Sequence, residues 1–177
     1  MITTECQKEN NKNKGEWFKM AQYIMNMDRC MNPRPVTFLA PADNLFRGMF
    51  VEITGMAKNN TWLNGDDDFE AYQVQLAGAE AKKENLLINT SVPKQYDERL
   101  NERDFVNNEG DICRGHYITT GDEMTLPVDF VGGELTVGTE VELAGEGKLA
   151  VGSTSPIGEV VRVYNWNGQE SVMIRFY

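Results

Sequence analysis

Histidine occurs once in this chain, at His116, and cysteine three times, at Cys6, Cys30 and Cys113. A Ser–His–Asp or Cys–His arrangement would have to use that single imidazole. It sits in Arg114-Gly115-His116-Tyr117-Ile118, an expected strand, and nothing nearby in sequence orients the ring. Cys113 is three residues away and so falls on the opposite face of such a strand. His116 is therefore read as structural or surface, and no catalytic residue is assigned. The odd cysteine count, without Cys-x-x-Cys spacing, points to reduced thiols in a chain made in the cytosol.

Basic side chains are also in short supply: 17 Lys and Arg stand against 27 Asp and Glu, a net charge of −10. Phosphate binding needs clustered Lys and Arg, so this balance argues against a nucleic-acid groove and against docking on an anionic membrane. No run of 18 apolar residues is present, so no transmembrane helix is expected. The first twenty residues are polar and Asn/Lys-rich, without the apolar stretch of a secretory signal. No internal repeat of 20–50 residues is visible.

The common ligand motifs are missing as well. Gly145-Glu146-Gly147-Lys148 is followed by Leu149, not Ser or Thr, and places an acid where a phosphate would lie. The dinucleotide pattern Gly-x-Gly-x-x-Gly is absent. Asp66-Asp67-Asp68-Phe69-Glu70 crowds carboxylates without the alternating positions of a calcium loop, and reads as a solvated turn. With 27 acids, no carboxylate pair stands out for sugar hydrolysis. Neither a cofactor nor a metal is expected.

What is present is an ordinary globular composition, 41% apolar and 25% charged, over 177 residues. That is enough for one domain, or two small ones sharing a core, without disulfides or metals. Residues 1–19 read as a flexible N-terminal arm: four Lys against three Glu in the first twenty residues give +1, against −11 for the rest. The arm ends in Gly15-Glu16-Trp17-Phe18-Lys19. Trp17, Phe18 and Lys19 are candidate partner-binding residues; the alternative is that the aromatic pair packs back on its own domain.

Residues 20–110 read as an α+β region. Tyr23, Met25 and Met27 alternate as in a strand, and Val36–Leu39, Phe50–Thr54, Tyr72–Leu76 and the more buried Leu86-Leu87-Ile88 are further strands. Pro93 to Phe105 predicts one short helix, with Tyr96 and Leu100 on one face and Gly110 beyond its end.

Residues 111–177 read as an antiparallel β-domain. Eleven of the sixteen glycines lie between Gly110 and Gly168, punctuating short alternations. Leu135, Val137, Thr139, Val141 and Leu143 form one series, and Leu149 and Val151 another. Val161 and Val163 fit one face of a third, and Val172, Ile174 and Phe176 form the last. Asn167-Gly168, between the last two, is the strongest hairpin signal in the chain. The fold class expected is mainly β: a small antiparallel barrel or sandwich in the C-terminal region, and an α+β N-terminal region with one short helix. Trp62, Tyr164 and Trp166 could stack on sugar rings. Trp166, at the hairpin tip, is the best candidate; local packing of the hairpin is the alternative.

Two stretches carry a family resemblance. Tyr96-Asp97-Glu98-Arg99 through Asp104-Phe105-Val106-Asn107 and Gly110, then Arg114-Gly115-His116-Tyr117 and Thr120-Gly121-Asp122, is similar to small head-region proteins of tailed phages. Met20 to Arg29 also resembles how such proteins begin. Gly147-Lys148-Leu149-Ala150-Val151-Gly152 and Ile157-Gly158-Glu159-Val160-Val161 resemble the barrel strands of phage capsid decoration proteins. Basic residues often precede the Gly-Asp turn in that pattern; here Ile118-Thr119-Thr120 stands instead. The resemblance implies a non-enzymatic virion protein, assembled in the host cytoplasm, that binds the major capsid protein on the shell surface. It would sit there in several copies, as a homo-oligomer such as a trimer. A carbohydrate- or receptor-binding head appendage, and a neck or tail part, are the other readings.

Overall fold

The structure is a computed structural model that describes residues 25–57, 71–91 and 106–177. It is mainly β, and the described residues form twelve strands. The first six are β1 (Asn26–Arg29), β2 (Val36–Leu39), β3 (Phe50–Met56), β4 (Tyr72–Leu76), β5 (Leu86–Asn89) and β6 (Ile112–Tyr117). The others are β7 (Glu123–Pro127), β8 (Val131–Gly132), β9 (Glu140–Gly145), β10 (Lys148–Val151), β11 (Gly158–Trp166) and β12 (Gln169–Phe176). Short 3-10 turns occupy Lys83–Asn85 and Val128–Phe130.

A closed five-strand barrel runs β2-β4-β3-β5-β6, and a seven-stranded sheet runs β1-β7-β12-β11-β9-β10-β8. Period-2 alternation explains how they pack. In the barrel, Phe38, Val51, Val74, Leu87 and Cys113 share one buried cluster, one residue from each strand. Their neighbours Phe50, Leu86 and Ile88 face the other way. They join Met25, Met124, Leu126, Val141, Leu149, Val160, Val172, Ile174 and Phe176 of the sheet side in a second, larger cluster. Burial on both faces is why Leu86-Leu87-Ile88 is an unbroken apolar run. Each such side chain contributes about 1.5–3 kcal/mol on leaving water. The Phe50 and Phe176 rings meet across this interface, with centroids 6.0 Å apart.

A hairpin tip ties the two sheets together. β9 and β10 are joined by Glu146-Gly147, both at positive φ (50° and 70°). The Phe50 N–H donates to the Gly147 carbonyl (2.8 Å), and the Gly147 N–H donates to the Ala77 carbonyl (3.0 Å). Within the barrel side a polar cluster is buried. The Asn89 side-chain amide donates to the Phe46 carbonyl (3.0 Å) and to Asn107 Oδ1 (3.2 Å). Its oxygen accepts from the Ser91 N–H (3.1 Å) and the Ser91 hydroxyl (2.7 Å). All four hydrogen-bonding positions of the amide are filled.

Pairing crosses the expected 110/111 boundary in both directions. β6 closes the barrel against β2 and β5, and β1 joins the sheet against β7. The barrel is thus built mainly from strands before residue 110, and the strands after β6 form an open sheet. Two local expectations are corrected. The series Leu135 to Leu143 is not one strand: Gly138 has φ +85°, Thr136 and Thr139 close a turn, Val137 is 71% exposed, and β9 begins only at Glu140. Val163 does not lie on the face opposite Val160. A bulge between Val160 and Arg162 changes the parity, so Val163, opposite Val172, falls on the same face as the buried Val160, opposite Ile174, although Val163 is 43% exposed. The arm 1–19, the helix expected from Pro93 to Phe105, Cys6, Trp62 and Asp66–Asp68 lie outside the described residues.

Candidate partner-binding site

Of the four residues singled out for partner binding, Trp166 is described, and Trp17, Phe18 and Lys19 lie outside the described residues. Trp166 is half-buried and pairs with Gln169 as the last rung of the β11–β12 ladder. That register leaves Asn167-Gly168 as a two-residue loop with φ of 52° and 79°, the type I′ geometry that Asn-Gly favours. The Asn165 side-chain oxygen accepts from the Gly168 N–H (3.0 Å) and pins the turn.

The hairpin extends past its neighbour. β11 pairs with β9 only at Gly158 and Glu159, and Val160 exchanges bonds with the Gly138–Thr139 backbone. From Arg162 to Trp166 no described strand pairs with β11 on that side. The segment after β8 swings away here, because Gly133 and Gly138 both hold positive φ. The space between is a cleft of about 430 Å³, lined by Val128, Gly133, Leu135, Val163, Tyr164, Asn165 and Glu170. Val163, 43% exposed, gives it an apolar wall, and the exposed Glu170 carboxylate gives it negative charge. Trp166 follows directly on the cleft wall at Asn165.

A hydrogen-bond chain fixes Tyr164 in place. The Thr125 hydroxyl donates to Asp28 Oδ2 (2.6 Å), since a carboxylate can only accept. The Tyr164 hydroxyl, 2.7 Å from the same Thr125 oxygen, is then the donor to it. This links β1, β7 and β11 across β12. The Arg162 guanidinium lies 4.6 Å over the Tyr164 ring and occupies one of its faces.

The remaining candidates sit elsewhere. His116 Nδ1 lies 2.8 Å from Thr90 Oγ1, and burial lowers the imidazole pKa. Thr90 itself is 6% exposed, so this pair clasps the end of β5 to β6 with no open side on the hydroxyl. Cys113 points into the barrel, where burial pushes its thiol up to about 11. Among the described residues no three His, Cys, Asp or Glu side chains gather in a way that could hold a metal ion.

Sequence reasoning selected Tyr164 and Trp166 as surface aromatics, and the structure places both at the hairpin end. It missed Val128, Leu135 and Glu170, and it set Val163 on the face opposite Val160. No sequence signal marks the bulge that brings Val160 and Val163 to one face. No family model and no curated protein sequence matches this chain.

Proposed function

We propose that this chain is a structural protein of a tailed-phage head, which binds the major capsid protein and stabilises the shell in several copies. The observation that carries the reading is the hairpin end of the sheet. There a strand edge that no described strand pairs with, an apolar cleft and a half-buried tryptophan lie together on the β body. Such a surface suits the recognition of an extended protein segment, since open edges and shallow apolar clefts take strands. The resemblance of 147–161 to decoration-protein strands supports the same reading.

The glycan alternative is weaker at this site. Arg162 occupies one face of the Tyr164 ring, and Thr125 engages its hydroxyl. The test is co-sedimentation of the purified chain with phage heads that lack it, followed by heating. Saturable binding and heads that rupture at a higher temperature are expected. No co-sedimentation, or binding to a glycan array instead, overturns the reading.

A further inference from the structure

We infer that β11 takes a short extended segment of the capsid protein as an added strand, along Val163 to Asn165, and that this segment carries an apolar residue and, two positions from it, a Lys or Arg. The inference rests on the head-protein reading and specifies what the hairpin end would recognise on the shell.

Backbone geometry fixes where the strand adds. Trp166 and Gln169 close a two-residue loop, so they exchange hydrogen bonds with each other. Bonding direction alternates along a strand, so Tyr164 also bonds towards β12, at Ser171. Val163 and Asn165 therefore turn their N–H and C=O groups away from β12, to the side where no described strand pairs. Val160 uses that same side further back: its N–H donates to the Thr139 carbonyl (2.8 Å), and its carbonyl accepts from the Gly138 N–H (2.7 Å). Two donors and two acceptors are thus offered between the contact at Val160 and the turn at Asn167. A strand of about three to five residues fills that footprint, and its main-chain bonds supply affinity for any sequence.

Side chains supply the selectivity. Val163 and Asn165 are two residues apart and share a face, and Glu170 stands opposite Asn165 on that face. An added residue beside Val163 meets an apolar wall, with Leu135 lining the same cleft. A residue beside Asn165 needs a long basic side chain to reach past it to the Glu170 carboxylate. Asp129 and Glu134 are exposed next to the lining residues Val128 and Gly133 and add to the negative charge. Arg162 is the opposing charge on this stretch of β11, and its guanidinium is held over the Tyr164 ring. An acidic cleft beside an open strand edge is complementary to a basic extended segment.

The test is residue-resolved hydrogen exchange of the full chain, free and bound to phage heads that lack it. The Val163 and Asn165 amides should exchange fast in the free chain and about tenfold or more slower on the heads, with the Tyr164 amide slow in both. Glu170→Lys, an exposed change, should weaken binding to the heads severalfold. Val163 and Asn165 amides already protected in the free chain, or still fast on the heads, overturn the inference. So does binding that Glu170→Lys leaves unchanged. In each of those cases the chain still binds heads and the head-protein reading stands, whereas no binding at all overturns both.

Discussion

Replacing Gly147 and Gly168 by alanine makes the same chemical change at the same position of two type I′ turns, yet the consequences should differ about twofold. Both glycines hold positive φ, 70° and 79°. An alanine in that region costs roughly 1–2 kcal/mol. At Gly168 that is the whole effect, because a Cβ there meets nothing within 4 Å. At Gly147 a Cβ would stand 2.6 Å from the Phe50 carbonyl oxygen and 3.3 Å from the Phe50 nitrogen. Backbone on backbone has no soft direction, so the hairpin must retract from the barrel. Retraction weakens the Phe50–Gly147 and Gly147–Ala77 hydrogen bonds, each worth about 0.5–1.5 kcal/mol net. The sum for Gly147→Ala is about 2–5 kcal/mol, against about 1–2 for Gly168→Ala. Equilibrium urea unfolding of both variants measures this, as a fall in midpoint at constant slope. Equal losses would refute the reasoning, since they would mean that the β9–β10 tip does not bear on the barrel.

Three other outcomes are expected. Asn89→Leu keeps the volume but leaves Ser91, Asn107 and the Phe46 carbonyl without their partner, a loss of about 2–4 kcal/mol in the same urea assay; a loss under 1 kcal/mol would show that water replaces the amide. Cys113, buried with its thiol raised to about 11, should resist iodoacetamide in the native chain and react once urea unfolds it, read by peptide mass mapping. Burial lowers the His116 pKa in the folded chain, so the unfolded chain binds the extra proton first as pH falls. The stability His116 contributes is present above its unfolded value and is lost as pH drops through the folded one. His116→Gln should flatten that part of the stability profile measured between pH 7 and 5, and an unchanged slope would assign the dependence to other groups.

Local chemistry was legible in the sequence wherever a feature depends on neighbours in the chain. Asn167-Gly168 announced its turn because only a few residues tolerate two consecutive positive φ values. Leu86-Leu87-Ile88 announced a short, more buried strand, and all three residues are fully buried. Features that depend on distant segments were not legible. Alternation continues from Leu135 to Leu143 straight through the turn at Thr136–Thr139, because one residue of period 2 looks like any other. The extra residue in β11 sets Val163 on the same face as Val160 without any change in composition. Alternation within β6 likewise says nothing about its pairing with β2, some 75 residues earlier in the chain, rather than with β7 next to it.

Because β1 belongs to the sheet and β6 to the barrel, the order of synthesis and the order of folding cannot coincide. β1 pairs with β7, which emerges more than ninety residues later. At roughly 5–20 residues per second, that strand waits several seconds for its partner. Neither the barrel nor the sheet can close on a nascent chain that stops short of residue 112, so β2 to β5 must remain an open, edge-exposed set until β6 appears. Long-range pairings of this kind fold slowly and expose strand edges in the interval. A cell making the protein in many copies at once would accumulate these half-built chains together, and the crossed connectivity makes their yield sensitive to expression rate and temperature.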